Sequence, residues 1–156
     1  MIFEGERVAG GGRFLIIVAR FNRWITERLL EGARRELKAC GANDESVDVA
    51  WVPGSFELPQ AALAGASAGR YRAVICLGAV IKGKTTHDEH IASSCANGIQ
   101  AASAAAGIPV TFGVITAGSF ELAEARCRLD GGRNLGADAA GAAVEMASLS
   151  DRLNRG

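Results

Sequence analysis

The chain alternates between short, continuous apolar runs and longer segments in which apolar residues recur at helical spacing. Residues 14–19 (FLIIVA) form the first run, of the kind found in a strand that is covered on both faces. After a polar break, apolar residues recur every four positions from Ile25 to Leu37, which predicts an amphipathic helix over about residues 24–40. Gly41 follows where a helix stop is expected.

The same order of apolar run and helical segment then repeats three more times. Strands are predicted over residues 47–52, 73–80 and 110–116, and helices over 56–68, 87–106, 119–128 and 134–150. Ser55 stands where its side chain would cap the helix after the second strand. Because strands that alternate with helices pair in parallel through right-handed crossovers, the sequence predicts one α/β domain, residues 1–156. Its core would be an open four-stranded parallel sheet with helices on both faces.

Candidate chemistry is expected at the carboxyl ends of the strands, where open parallel sheets bind their ligands. The four strand exits are Arg20–Asn22, Gly54–Glu57, Ile81–His87 and the segment that follows Phe112. These segments therefore hold the first candidates for a binding site.

The large number of small residues limits how much of the core large side chains can fill. Apolar residues make up 49% of the sequence, but 29 alanines and 20 glycines stand among the 156 positions, so large side chains are scarce. A chain of this length still buries about 70% of its unfolded surface on folding. We therefore expect layers that pack very closely, or other subunits that help to form the core.

Charge and hydropathy exclude several classes of protein. The 17 basic residues are balanced by 17 acidic ones, which disfavours nucleic acid as a partner. No apolar run approaches the roughly 18–20 residues that cross a membrane, and no signal-type segment opens the chain. We therefore expect no membrane partner and a cytoplasmic location. The four cysteines are scattered without a CxxC pair, which favours buried free thiols over a zinc site or a disulfide framework.

The third strand exit allows two interpretations. Residues 78–85 (GAVIKGKT) satisfy the formal P-loop pattern G-x-x-x-x-G-K-[ST] between a strand and a helix. A phosphate there would meet the backbone amides of Gly83, Lys84 and Thr85, together with the ammonium group and the hydroxyl of the last two. The apolar stretch 79–81 suits a continuing strand better than a triphosphate loop, and no other strand ends in an aspartate that would hold magnesium. The loop therefore indicates a single phosphate group, bound without a metal.

The two histidines of the chain follow this loop. His87 and His90 are spaced i, i+3, which would allow two metal ligands on one helical face, but no third ligand accompanies them. A histidine at the mouth of a phosphate loop is able to move protons near neutral pH. His87 fits that position, whereas His90 lies one turn further into the helix and is expected to be structural or on the surface. A purely structural role for His87 stays open at this point.

Taken together, the strand exits resemble the lumazine synthase family, and the resemblance runs from about Phe14 to Leu149. Six segments carry it, each weak alone but together in the family's order. They are ARFN (19–22), VPGSFELP (52–59), GAVIKGKTTH (78–87), PVTFGVIT (109–116), ELAEAR (121–126) and AAVEMASL (142–149). The resemblance implies a flavodoxin-like three-layer sandwich, with no metal and no organic cofactor.

The resemblance also implies an activity, that of 6,7-dimethyl-8-ribityllumazine synthase in riboflavin biosynthesis. The family condenses 5-amino-6-(D-ribitylamino)uracil with 3,4-dihydroxy-2-butanone 4-phosphate and releases phosphate and water. Its members form homopentamers, some of which assemble further into icosahedral shells, with active sites between adjacent subunits. Residues 1–12 are accordingly expected to form an arm that contacts a neighbouring subunit, and riboflavin synthase is considered as a further partner.

Residue roles are implied position by position. The residues expected against the pyrimidine ring and its ribityl chain are Phe21, Ser55, Phe56, Glu57, Ala79, Val80 and Ile81. Those expected around the phosphate are Gly83, Lys84, Thr85 and Arg126. Phe112 would complete the aromatic pocket from the neighbouring subunit, and His87 would transfer protons.

Two positions depart from the family's pattern. A lysine that contacts the phosphate usually precedes the glycine at the start of the last helix, but here Leu135 occupies that place. Arg128 and Arg133 are the nearby alternatives for the missing charge. Lys82 stands where an arginine is commoner, which preserves the charge. Because of Leu135, an inactive flavin-binding or shell-forming paralogue stays open as an alternative. Because of the P-loop pattern, a small kinase stays open as a less favoured one.

Overall fold

Four strands and five helices alternate along residues 1–155, the part of the chain that the computed structural model describes. The strands are β1 (Arg13–Ala19), β2 (Val47–Val52), β3 (Tyr71–Ile81) and β4 (Val110–Ala117). The helices are α1 (Arg23–Ala39), α2 (Leu58–Ala66), α3 (His87–Ala106), α4 (Phe120–Glu124) and α5 (Leu135–Arg155). Short 3-10 turns lie at Asp44–Ser46 and Ser55–Glu57. Among these residues, no helix combines the length and the apolar character that a membrane span requires.

The four strands form one parallel sheet in the order β2-β1-β3-β4. The central strands β1 and β3 are buried along almost their whole length, as their continuous apolar runs predict. In the register, Ala19 lies opposite Val52, and Ile81 lies opposite Ala117. The sheet predicted from the sequence is therefore confirmed, and its four strand exits meet at one edge.

Helices cover both faces of the sheet because side chains of successive strand residues point to opposite sides. Ile16 and Val18 of β1 pack in the core beneath α1, α4 and α5, whereas Leu15 and Ile17 pack in the core beneath α2 and α3. The result is a flavodoxin-like three-layer sandwich, which confirms the predicted fold class.

Glycine lets two helices of the same layer approach unusually closely where α1 crosses α5. A Cβ atom added to Gly136 of α5 would lie 2.0 Å from the carbonyl oxygen of Leu29 in α1. A Cβ added to Gly32 of α1 would lie 2.1 Å from the side-chain oxygen of Asn134, and this same oxygen accepts the backbone N–H of Ala137 at 3.0 Å. The close packing that the many small residues predict is therefore present at this crossing.

Two predicted details of local structure are wrong. Ser55 does not cap α2, because it begins a 3-10 turn and the helix starts three residues later without a side-chain cap. The helix predicted over residues 119–128 ends at Glu124. Beyond it, the backbone N–H of Leu135 donates to the carbonyl of Arg126 at 2.8 Å, so a loop that folds back on itself replaces the last helical turn.

The N-terminal segment packs on its own chain from Gly5 onwards. Ala9 is buried, and its backbone N–H donates to the carbonyl of Cys40 at 2.8 Å. Arg7 forms ion pairs with Glu36 of α1 and Glu145 of α5. The expected contact of residues 1–12 with a neighbouring subunit stays a prediction.

The four cysteines, Cys40, Cys76, Cys95 and Cys127, are free and buried, as expected. Burial raises the pKa of the Cys76 thiol, and it raises the pKa of Cys95 to about 11. Because the thiolate is the reactive form of cysteine, these two side chains behave as small apolar residues in the core beneath α2 and α3.

Candidate active site

A cavity of about 860 Å³ opens at the carboxyl edge of the sheet. The exits of β1 and β3 form its floor, the 3-10 turn Ser55–Glu57 forms one wall, and the first two turns of α3 form the other. Ten of the predicted site residues line it: Phe21, Ser55, Phe56, Glu57, Ala79, Val80, Ile81, Gly83, Thr85 and His87. Its size suits a small-molecule ligand, for which pockets of roughly 300–1,000 Å³ are usual.

A sharp turn at Asn22 exposes the aromatic ring of Phe21 on the cavity floor. Asn22 has a left-handed backbone conformation, with φ of 60° and ψ of 45°, which asparagine tolerates better than most residues. Its side-chain amide donates to the carbonyl of Ala79 at 2.9 Å, which ties the exit of β1 to the exit of β3. Asn22 lines the cavity but is not among the residues that the resemblance implies. The sequence feature that could have identified Asn22 as a site residue is its position directly after a buried strand.

The turn Ser55–Glu57, which follows β2, packs directly on β3 because Gly78 has no side chain. A Cβ atom at Gly78 would lie 2.4 Å from the hydroxyl of Ser55, which is itself buried. The next two residues of the turn face the cavity: the ring of Phe56 is exposed and Glu57 is half-buried. This wall therefore presents an aromatic ring and a carboxylate beside each other.

The loop after β3 does not fold as a triphosphate-binding loop. Ala79, Val80 and Ile81 continue the strand, and the backbone N–H of Lys82 donates to the carbonyl of Ala117 on β4 at 2.8 Å. Only residues 83–86 remain as an exposed loop before α3 begins. A helix N-terminus attracts anions because its first N–H groups are unpaired, so this short loop suits one phosphate group.

Both histidines line the same cavity. His87 is the first residue of α3, and its backbone N–H lies 3.4 Å from the side-chain oxygen of Thr85. His90 is exposed, as expected for a surface residue, and it also lines the cavity. Within residues 1–155, no three His, Cys, Asp or Glu side chains come together as ligands for a metal ion.

Three predicted site residues, Lys84, Phe112 and Arg126, do not line the cavity of their own chain. Lys84 lies between two loop residues that do. Phe112 lies on the edge strand β4 opposite Cys76 and lines a second recess, of about 420 Å³. The guanidinium group of Arg126 lies near the end of β4, 3.5 Å from the carbonyl of Thr116. Phe112 and Arg126 therefore lie outside the cavity of their own chain, each at a different place along β4.

The apolar residue at the usual lysine position is partly buried. The side chain of Leu135 packs against the core beneath α1 and α5. Arg128 and Arg133, the two nearby alternatives, do not line the cavity, and each forms an ion pair, with Asp130 at 2.7 Å and with Asp138 at 3.8 Å. Neither arginine replaces the missing lysine in the cavity of its own chain.

Comparison with known protein families gives an independent result. The family model of 6,7-dimethyl-8-ribityllumazine synthase matches residues 11–151. This range contains the whole sheet and every residue that lines the cavity. It also contains the six segments that carry the resemblance in the sequence. The chain therefore belongs to the 6,7-dimethyl-8-ribityllumazine synthase family, a family of enzymes of riboflavin biosynthesis.

Proposed function

We propose that this chain condenses 5-amino-6-(D-ribitylamino)uracil with 3,4-dihydroxy-2-butanone 4-phosphate, which gives 6,7-dimethyl-8-ribityllumazine, phosphate and water. One observation supports this most directly. A single cavity brings together an exposed aromatic ring from Phe21, a carboxylate from Glu57, the loop residues Gly83 and Thr85, and the imidazole of His87. These groups match the three parts of the two substrates, namely a flat heterocycle, a polyol and a phosphate ester.

The uracil ring is proposed to lie on Phe21. The side chain of Phe21 is 72% exposed although it is large and apolar, so a flat ligand that covers it would remove considerable apolar surface from water. The adjoining strand end, residues 79–81, adds apolar contact and backbone polar groups along the edge of the ring. The ribityl chain would then extend towards Ser55, Phe56 and Glu57, where the carboxylate accepts hydrogen bonds from hydroxyl groups.

The phosphate is proposed to bind at the loop before α3. The backbone amides of Gly83, Lys84 and Thr85 and the N-terminus of α3 all favour an anion, and the exposed ammonium group of Lys84 adds charge. Arg126 and Phe112 lie outside the cavity of their own chain. Their implied roles therefore require the neighbouring subunit, so the working enzyme is proposed to be a homo-oligomer.

The reaction is proposed to proceed by amine condensation. The 5-amino group attacks the ketone, and loss of water gives an imine. Phosphate then leaves as its carbon–oxygen bond breaks, and the ribityl-bearing nitrogen closes the second ring with loss of water. His87 would move protons between these nitrogen and oxygen atoms, a contribution of about 10²–10⁴-fold, while the larger gain comes from holding the two substrates together.

A direct assay tests this proposal. Purified protein is incubated with both substrates and a chelator, and lumazine formation is followed by absorbance together with phosphate release. We expect product and phosphate in equal amounts. Tight riboflavin binding without synthesis would instead support an inactive paralogue, the second candidate that Leu135 favours, and magnesium-dependent ATP consumption would support a kinase. Either of these results without lumazine formation contradicts the proposal.

A further inference from the structure

A row of residues on α3 faces the turn that carries Glu57 across the cavity. His87, His90, Ile91 and Ser94 all line the cavity, and their spacing of i, i+3, i+4 and i+7 places them on one face of the helix. The reaction proposed above uses only the first of them. The imidazole of His90 and the hydroxyl of Ser94 are thus two polar groups in the site without an assigned role.

The cavity wall formed by α3 continues into a direct contact between α3 and α2. A Cβ atom added to Gly98 of α3 would lie 2.6 Å from the Cβ of Pro59 in α2, so the two helices are in direct contact there. Ser94 lies one helical turn before this contact, about 6 Å along the axis at 1.5 Å per residue. Glu57 lies two residues before Pro59 on the other wall. Ser94 and Glu57 therefore line the side of the cavity nearest this helix contact, whereas His87, at the start of α3, lies beside the phosphate loop.

The hydrogen-bonding groups on this side of the cavity suit a chain of hydroxyl groups. A polyol presents donors and acceptors at each carbon, but the carboxylate of Glu57 only accepts. The hydroxyl of Ser94 and the imidazole of His90 both donate and accept, so they supply the donors that Glu57 lacks. Ile91, on the same face, offers apolar contact to the carbon atoms of such a chain.

We propose that His90 and Ser94 are binding residues for the ribityl chain, and that they form with Glu57 a polyol subsite between α3 and the Ser55–Glu57 turn. This inference rests on the proposed function, because it assigns these residues to one part of that substrate. Both residues contact the polyol and neither reaches the ketone or the phosphate. Their removal therefore weakens binding of ligands that carry the ribityl chain and leaves ligands without it unaffected.

Equilibrium binding of two lumazines tests the subsite without turnover. One ligand is 6,7-dimethyl-8-ribityllumazine, and the other is 6,7,8-trimethyllumazine, in which a methyl group replaces the polyol. For Ser94→Ala and for His90→Leu we expect about two- to tenfold weaker binding of the ribityl ligand, the loss of a single hydrogen bond, and no change for the methyl ligand. His90→Gln, which keeps a donor and an acceptor, restores most of the affinity. Ser93→Ala is the matched control, because Ser93 is exposed and does not line the cavity.

The outcomes separate this inference from the proposed function. Unchanged affinity of Ser94→Ala and His90→Leu for the ribityl ligand would overturn the polyol subsite, and so would equal losses for the two ligands. If the wild type still forms the lumazine, either result leaves the proposed function intact. A wild-type protein that binds neither lumazine and makes no product contradicts the proposed function and the subsite with it. Thermal unfolding of every variant at one protein concentration identifies any variant that has lost its fold. If His90→Leu is one of these, the comparison of the two ligands in Ser94→Ala decides the outcome.

Discussion

Replacing Gly136 by alanine tests the close approach of α1 and α5. The added Cβ atom would lie 2.0 Å from the carbonyl oxygen of Leu29, and 2.7 and 2.9 Å from the carbonyl carbon and Cα of the same residue. All three atoms belong to the backbone, so no side-chain rotation relieves the clash. Since ordinary contact begins near 3.4 Å, the two helices must separate locally by more than 1 Å.

The free energy of unfolding should fall as a result. Overpacking of this kind costs about 1–3 kcal/mol, and the backbone clash at Gly136 places it towards the upper end. The higher helix propensity of alanine returns at most about 1 kcal/mol. The net loss of roughly 2 kcal/mol corresponds to a decrease in Tm of about 4–8 °C for a chain of this length.

Thermal unfolding followed by circular dichroism measures this decrease, with all proteins at one concentration because assembly also shifts Tm. Gly11→Ala is the control, since a Cβ atom there meets nothing within 4 Å, and its Tm should stay close to that of the wild type. Equal Tm values for the wild type and Gly136→Ala would refute the reasoning, because the helices would then tolerate the extra atom without cost.

Three further predictions concern the site and the acid stability of the fold. His87→Ala should lower kcat by about 10²–10⁴-fold without abolishing turnover, and unchanged kcat and KM would remove its assigned role. Lys84→Ala should raise KM for the phosphate ester, and the increase should be smaller at high salt. The control Lys38→Ala, at the end of α1, should leave KM unchanged. Equal effects of the two substitutions would argue against a local phosphate contact. The pKa of Asp48 is lowered chiefly by its hydrogen bond from Arg13, so its contribution to stability is present above about pH 4 and is lost as the pH falls further. The Tm difference between wild type and Asp48→Asn should therefore shrink on acidification, and a constant difference down to about pH 2 would count against this.

The central strands are predictable from the sequence because their burial on both faces requires continuous apolar runs. Residues 14–19 and 73–80 fall inside β1 and β3 for this reason. The end of α4 is less predictable. Residues 125–128 have a helical composition, but pairing with a segment distant in sequence draws them out of the helix and into a loop. The bond from the Leu135 N–H to the Arg126 carbonyl depends on how the loop returns, which no local pattern shows.

The candidate site is predictable to the extent that it follows strand exits. Phe21, Glu57 and His87 line one cavity because parallel strands end at one edge of the sheet. The place of His90 also follows from its i, i+3 spacing to His87, since both positions share a helical face. Phe112 is different, because it lies on an outer strand whose neighbour in an assembly is not encoded in any local pattern.

Burial of Cys95 gives the folded chain a built-in chemical probe. This thiol lies directly after Ser94 on α3, packed in the core beneath that helix with a pKa of about 11. At neutral pH almost none of it is thiolate, and no reagent reaches it while α3 rests on the sheet. Alkylation of Cys95 therefore requires α3 to move away from the sheet, so its rate measures how often one wall of the cavity opens. Ligands that bridge the two walls would slow that reaction. The alkylation rate of Cys95 therefore reports on opening of the site, although the thiol takes no part in the proposed reaction.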